Sequence, residues 1–195
     1  EKLARDNKKF ILADEIKDYC RKLSLNYLPT IKYLLRNKYV ARVFRGIFYI
    51  YSIEERKLGK SEMNSFAILK EALKIKGVKN WYFGLETGLK FNNLTHEYFT
   101  IDYVINDKLF RAKPIIIMGR KVKFYKLSPK MFLFGVIKKE VNYSNSEKTL
   151  LDLLYLKHYT KEEFEEIAEE LSKTKLLKYA ENYNKRVINI VKELK

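Results

Sequence analysis

The apolar residues near the start of the chain change their period twice, and that change restricts the fold more than any other feature of the sequence. Ile16, Tyr19, Cys20 and Leu23 recur at helical spacing within Ala13–Leu23, after the short apolar run Phe10-Ile11-Leu12. Ser24-Leu25-Asn26 interrupts that pattern, and Leu25, Leu28, Ile31, Leu34 and Leu35 then mark a second helical stripe expected to face a core. Pro29 falls in the first turn of this second helix, where its missing N–H is harmless. After Asn37 the pattern turns β-rich, in Tyr39–Phe44 and Ile47–Tyr51, divided at Arg45-Gly46. Helix, short break, helix and hairpin is the order of a winged helix-turn-helix, expected over residues 1–55.

A polar stretch at 54–61 containing Gly59 reads as a linker to a second region, 61–195. There the spacing of Phe66, Leu69 and Leu73 predicts a helix over Ser61–Lys76 with Gly77 as its stop. Trp81-Tyr82-Phe83 leads into a short helix, Gly84–Phe91. Strand patterns follow at Tyr98–Ile105, Leu109–Met118, Lys121–Leu127 and Met131–Ile137, with a turn at Asn106-Asp107. Three helices are expected near Ser146–His158, Lys161–Ser172 and Lys175–Leu194, the first opening on Ser144-Asn145-Ser146-Glu147 with capping-box spacing. The expected class is α+β: the winged helix-turn-helix, then a mixed α/β domain with a small, mainly antiparallel sheet and C-terminal helices.

Charge is distributed as unevenly as the apolar residues. With 40 Lys and Arg against 24 Asp and Glu among 195 residues, the net charge is +16. No acidic residue lies between Asp18 and Glu54, a stretch holding Arg21, Lys22, Lys32, Arg36, Lys38, Arg42 and Arg45. A second acid-free stretch, Lys108 to Lys139, holds ten basic residues, whereas the last 35 residues balance at eight of each sign. Positive segments of this kind attract phosphate backbones through counterion release. If the second stripe faces inward, Asn26, Tyr27, Thr30, Lys32, Tyr33, Arg36 and Asn37 are left toward solvent. Those types read base edges and grip phosphates. Arg42 and Arg45 would sit on the wing. In the second basic segment, Lys121 and Lys123 share one strand parity, opposite to Val122 and Phe124, and Arg111 and Lys113 share a parity on their own strand. With Lys126 these five residues form a candidate basic face. A Lys-rich solvated surface alone would account for Lys123 or Lys126.

Other functions find less support. Cys20 is the one cysteine, so no intrachain disulfide exists, and it sits on an apolar helix face away from His96 and His158. No Cys/His spacing of a zinc site and no phosphate-binding glycine loop is present. His158 reads as a helix-terminal surface residue. A metal-dependent nucleic-acid-processing enzyme with a winged-helix targeting domain is the alternative. It would need Glu86, Asp102 and Asp107 assembled with Lys108, Lys113 or Lys123. No acid-x-Lys pair occupies a strand, so no catalytic residue, metal or cofactor is expected. The longest apolar runs, Ile115 to Met118 and Met131 to Ile137, fall far short of a membrane span, and a cytoplasmic protein is expected.

Three stretches, in order, resemble the AbiEi-type antitoxins, the regulator half of type IV abortive-infection toxin–antitoxin systems. Leu34-Leu35 through Tyr39-Val40 to Arg45-Gly46-Ile47-Phe48 is similar to the family's helix-then-wing signature. Tyr82-Phe83-Gly84-Leu85-Glu86-Thr87-Gly88-Leu89 is similar to its short helix, and Ser146-Glu147-Lys148-Thr149-Leu150-Leu151-Asp152-Leu153-Leu154 to the helix beyond its sheet. The resemblance implies an N-terminal winged helix that binds inverted repeats in a double-stranded operator upstream of its own operon and represses it. It also implies a C-terminal region that counteracts a nucleotidyltransferase toxin without needing a stable complex. Phe48, where Val or Leu is common, and the very basic sheet depart from that family pattern. Glu147, Lys148 and Asp152 match the motif and read as helix start and internal pairing.

Overall fold

Two sheets organise the chain, one of three antiparallel strands and one of six mixed strands, in an α+β arrangement. The computed structural model describes residues 8–194; the first seven residues of the expected 1–55 unit, and Lys195, lie outside them. The chain divides into two compact units. One runs through Gly77 and takes in Ile116–Gly119, and the other comprises Val78–Ile115 and the chain from Arg120 onward.

In the first unit the run Phe10–Leu12 is strand β1, followed by helices α1 (Ala13–Lys22) and α2 (Tyr27–Arg36) and the hairpin β2 (Val40–Phe44) and β3 (Ile47–Ile50). Strand β3 lies between β1 and β2, antiparallel to both, so all four of its residues are buried. Ile11, Ile16, Cys20, Ile31, Val40, Phe48 and Ile50 form the core, with Tyr27, Leu34 and Leu35 packed against it. The register shifts between Arg42 and Phe44, and this bulge lets consecutive residues Val43 and Phe44 both bury. Gly46, at φ +82, turns the hairpin.

The expected inner stripe of α2 is corrected by the structure. Ile31 is 4 % exposed, but Leu28 is 67 % and Leu25 51 % exposed. Burying Tyr27, Ile31 and Leu34 on one side of a 3.6-residue helix rotates Leu28 outward. The expected linker at 54–61 is also corrected. Ile53–Leu58 is a helix, α3, capped by Ser52 and Glu55 and ended by Gly59 at φ +65. Glu55 is buried there, accepting from Tyr49 Oη, from the Ser52 amide at 2.6 Å and from the Glu62 amide at 2.8 Å, with Lys9 Nζ at 3.7 Å. Burial alone would raise this carboxyl; the hydrogen bonds and Lys9 outweigh it and hold it below its ordinary value. Helix α4 (Ser65–Ile75) packs on β2 and β3.

After Gly77 the chain forms β4 (Trp81–Phe83), α5 (Leu85–Phe91), β5 (Ile101–Asn106), β6 (Ile115–Ile117), β7 (Arg120–Lys126), β8 (Val136–Lys138) and β9 (Asn142–Ser144). Helices α6 (Ser146–Tyr155), α7 (Lys161–Ala168), α8 (Lys173–Ala180) and α9 (Lys185–Glu193) follow. The sheet order is β6-β7-β5-β4-β9-β8. It is mixed rather than mainly antiparallel, because β5–β7 and β4–β9 run parallel. The expected strand Leu109–Met118 shrinks to β6. Asn106 turns the chain by accepting from the Lys108 and Leu109 amides and donating to the Leu109 and Tyr125 carbonyls, and Pro114 cannot donate to a ladder. Of the expected strand Met131–Ile137 only Val136 and Ile137 are extended, since a 3-10 turn, Pro129–Phe132, takes its first two residues and bends follow. The expected last helix splits, since Asn184 accepts from the Val187 amide and restarts it as α9. Helix α6 is the centre of the core: every residue from Glu147 to Leu154 is buried. Its cap is Asn145, not Ser144, whose hydroxyl pairs with Thr149 at 2.6 Å. Among the described residues no helix is long and apolar enough to cross a membrane.

Candidate functional site

Helix α2 and the hairpin leave Lys32, Tyr33, Arg36, Arg42 and Arg45 of the first residue set exposed. Lys32, Tyr33 and Arg36 follow Leu28 and Pro29 on the solvent side of α2, and Arg42 and Arg45 are exposed on the hairpin. Tyr33 is held rather than loose: its ring stacks on Tyr39 at 5.9 Å, and the Arg56 guanidinium covers Tyr39 at 4.1 Å. Hydrogen bonding to Arg56 first, and to Tyr33, lowers the Tyr39 phenol below its ordinary value. Arg42 lies 5.8 Å over the Phe48 ring.

Four of the expected residues are placed differently. Tyr27 turns inward to the core. Asn26, with Tyr27, Asp14, Lys17, Asp18 and Arg21, lines a cleft of about 440 Å³ beside α1. That cleft is charge-balanced, because Lys17 pairs with Asp14 at 2.8 Å and Arg21 pairs with Asp18. Thr30 Oγ1 donates to the Asn26 carbonyl at 2.8 Å, and Asn37 Nδ2 donates to the Tyr33 carbonyl at 2.9 Å, so both side chains serve the ends of α2. Leu28 and the Arg56–Tyr39–Tyr33 stack were not legible as surface features: periodicity assigned the leucine to the core, and Arg56 fell in the supposed linker.

The second basic set is brought together only in part. Lys121 and Lys123 do lie on the opposite side of β7 from the buried Val122 and Phe124. Lys126 has the other parity and does not share their face; it is exposed because it ends the strand. Arg111 and Lys113 lie on no strand. They run beside β7 in the loop that Asn106 turns, with the Arg111 amide 3.4 Å from the Phe124 carbonyl and Lys123 Nζ donating to Ala112.

The carboxylates considered for catalysis are not assembled. Asp102 takes a forked pair of bonds from Arg120, one of 2.8 Å, and Asp107 accepts from Asn80 Nδ2 at 2.7 Å. Glu86 instead bonds His158 Nδ1 at 2.8 Å, while His158 Nε2 meets the Tyr125 hydroxyl at 2.8 Å. The expected surface role of His158 is thereby corrected: it is partly buried, edge-on to the rings of Tyr103 and Tyr125. Burial and then the charge of Glu86 raise the Tyr103 phenol to about 12, and the same causes raise Tyr125. Leu85, just before Glu86, sits at φ +53, a costly conformation for a bulky residue. Among the described residues no group of three or more His, Cys, Asp or Glu side chains is placed to hold a metal ion.

Lys148 and Asp152 are fully buried in α6, with Nζ 3.5 Å from Oδ1. Asp152 accepts from the Tyr82 hydroxyl at 2.8 Å and the Tyr183 hydroxyl at 2.7 Å, and Lys148 Nζ lies 4.4 Å from the Phe134 ring centre. Burial lowers the Lys148 ammonium, opposed by Asp152, and raises both phenols. Gly135 is required beside it: a Cβ there would stand 2.7 Å from Lys148 Cβ.

No family model matches the sequence, and no curated protein matches it. Among solved structures the chain is similar to the crystal structure of the RV2827C protein from Mycobacterium tuberculosis. The TM-score is 0.61 at 10 % identity, over 98 % of this chain and 73 % of that one, and the likeness at that identity is one of fold.

Proposed function

We propose that the first unit is a winged helix-turn-helix that binds double-stranded DNA, and that the protein is the autorepressing antitoxin of a type IV toxin–antitoxin system. One observation carries the DNA-binding half. The exposed side of α2 and the hairpin presents Lys32, Tyr33, Arg36, Arg42 and Arg45 from a stretch without a single carboxylate between Asp18 and Glu54. The connectivity supports it, since helix, turn, helix and hairpin follow in order and β1 closes the sheet on β3. In this reading α2 enters a major groove and the hairpin arginines lie against backbone or minor groove.

The antitoxin half rests on the resemblance of three motifs in order. Their residues Glu147, Lys148 and Asp152 are buried in α6, which supports a structural part for them. The basic loop and strand, Arg111, Lys113, Lys121 and Lys123, are then the surface that serves toxin neutralisation. A gel-shift titration of the full chain on the DNA upstream of its own gene tests the first half. Arg36→Ala should weaken binding by about 1–3 kcal/mol if it reads a base. Co-expression with an adjacently encoded nucleotidyltransferase tests the second. No shift at low salt, or growth arrest unrelieved by this protein, would overturn the respective half.

A further inference from the structure

The winged-helix reading leaves unexplained why leucines stand exposed on the surface meant for DNA. Leu28 is on the solvent side of α2, one turn before Lys32 and two before Arg36, and Leu25 is exposed just ahead of it. Neither belongs to the first unit's core, which Ile31 joins without them. An exposed leucine gains nothing in water, and Leu28 presents its methyl groups at the start of the helix, one turn before Lys32. In helix-turn-helix proteins the first residues of the second helix approach the base edges. The polar base readers on this surface are fewer than the sequence suggests, because Asn37 and Thr30 bond backbone carbonyls.

We propose that Leu28 is a specificity-determining residue that reads the 5-methyl group of thymine in the major groove. The inference rests on the winged-helix reading and adds what the duplex must contain. Thymine is the one base that offers a methyl group in that groove, and an aliphatic side chain is its natural partner. Arg36, eight residues further on and about 12 Å along the helix axis, then meets a guanine edge or a phosphate several base pairs away. The absence of carboxylates from Tyr19 to Ile53 fits a nucleic acid, rather than a second protein surface, as the occupant.

The experiment uses the full chain and duplexes it enriches from a random double-stranded DNA library. Each enriched duplex is remade with deoxyuridine in place of thymidine, which removes only the methyl group. Wild type should bind the uracil duplex about fourfold more weakly per methyl contacted, and Leu28→Ser should bind both duplexes alike. Equal affinity of wild type for the two duplexes, or an equal loss in Leu28→Ser, would overturn the thymine contact while leaving DNA binding intact. Failure to enrich any duplex would overturn the winged-helix reading itself. Sedimentation of the DNA-free protein separates the remaining case: a dimer that dissociates in Leu28→Ser would assign the leucine to an interface between copies and overturn the proposal.

Discussion

Replacing Asp152 with Ala should cost more stability than replacing Lys148 with Met, although the two form one buried pair. At 3.5 Å and an effective dielectric constant of about 20, their attraction is about 5 kcal/mol before desolvation. Removing each ion from water costs several kcal/mol, so the net contribution of the pair is small. The difference lies in what each deletion leaves behind. Asp152→Ala strands an ammonium among the rings of Tyr82, Phe134 and Tyr183 and removes the acceptor of two phenols. The expected loss is about 3–5 kcal/mol. Lys148→Met leaves a carboxylate that still accepts from Tyr82 and Tyr183. Two charge-assisted bonds of about 1.5–3 kcal/mol each hold the loss below about 3 kcal/mol. The double substitution Lys148→Met with Asp152→Ala should lose at least about 2 kcal/mol less than the sum of the singles. Urea unfolding followed through Trp81, the only tryptophan, reports on the unit that holds the pair.

A pH signature accompanies this asymmetry. Burial holds the folded-state Lys148 value below the 10.5 of the free side chain, so between the two the unfolded chain binds more protons. Wild-type stability should therefore rise as pH climbs through that interval, and Lys148→Met should lack the rise. Tyr82 and Tyr183 act in the opposite sense, since their raised phenols keep protons in the folded state and stability falls above pH 10.0. Equal losses for the two single substitutions, or a double substitution that loses their full sum, would rule this asymmetry out.

Three further outcomes are expected. If the proposed antitoxin reading holds, reversing Lys121 and Lys123 to Glu together should leave repression unchanged and abolish toxin protection at fixed salt, read by paired reporter and growth assays; two unchanged activities would reduce these lysines to solvated surface. Glu55→Gln should flatten the acid limb of stability, because a carboxyl held below 4.5 contributes fully above that pH and loses its contribution as pH falls through its folded value; an acid titration followed by circular dichroism checks it. Gly88→Ala should destabilise by about 1–3 kcal/mol through overpacking, since its Cβ would stand 2.7 Å from Thr149 Oγ1 and 2.9 Å from Ser144 Oγ; an unchanged melting temperature would contradict it.

Elements with clear periodicity were legible in the sequence. The Ile16, Cys20 stripe, the hairpin at Arg45-Gly46 and the strand Lys121–Leu127 carry their pattern locally, and the structure places elements there within a residue or two. The misreadings share a cause: side chains far away or backbone chemistry decided the outcome. Glu54 to Ser61 looks polar, yet Glu55 is buried because Tyr49, on β3, reaches it. Leu28 fits the apolar stripe by spacing, yet α2 is rotated by the demand of Tyr27 and Ile31. The parallel pairing of β5 with β7 has no local signal, and the strand expected before Met118 is consumed by the turn that Asn106 builds. The Glu86–His158–Tyr125 line joins residues up to 72 positions apart, so only the fold could assemble it.

If the exposed side of α2 and the hairpin grips duplex DNA through its cations, affinity must depend steeply on salt. The logarithm of the association constant, measured by fluorescence anisotropy on an enriched duplex, should fall linearly with the logarithm of salt concentration. In the double variant Arg42→Ala, Arg45→Ala the slope should be shallower by about 0.9 for each phosphate no longer neutralised, about 1.8 in all. A wild-type affinity indifferent to salt, or a slope unchanged when both arginines are removed, would contradict DNA binding by this surface.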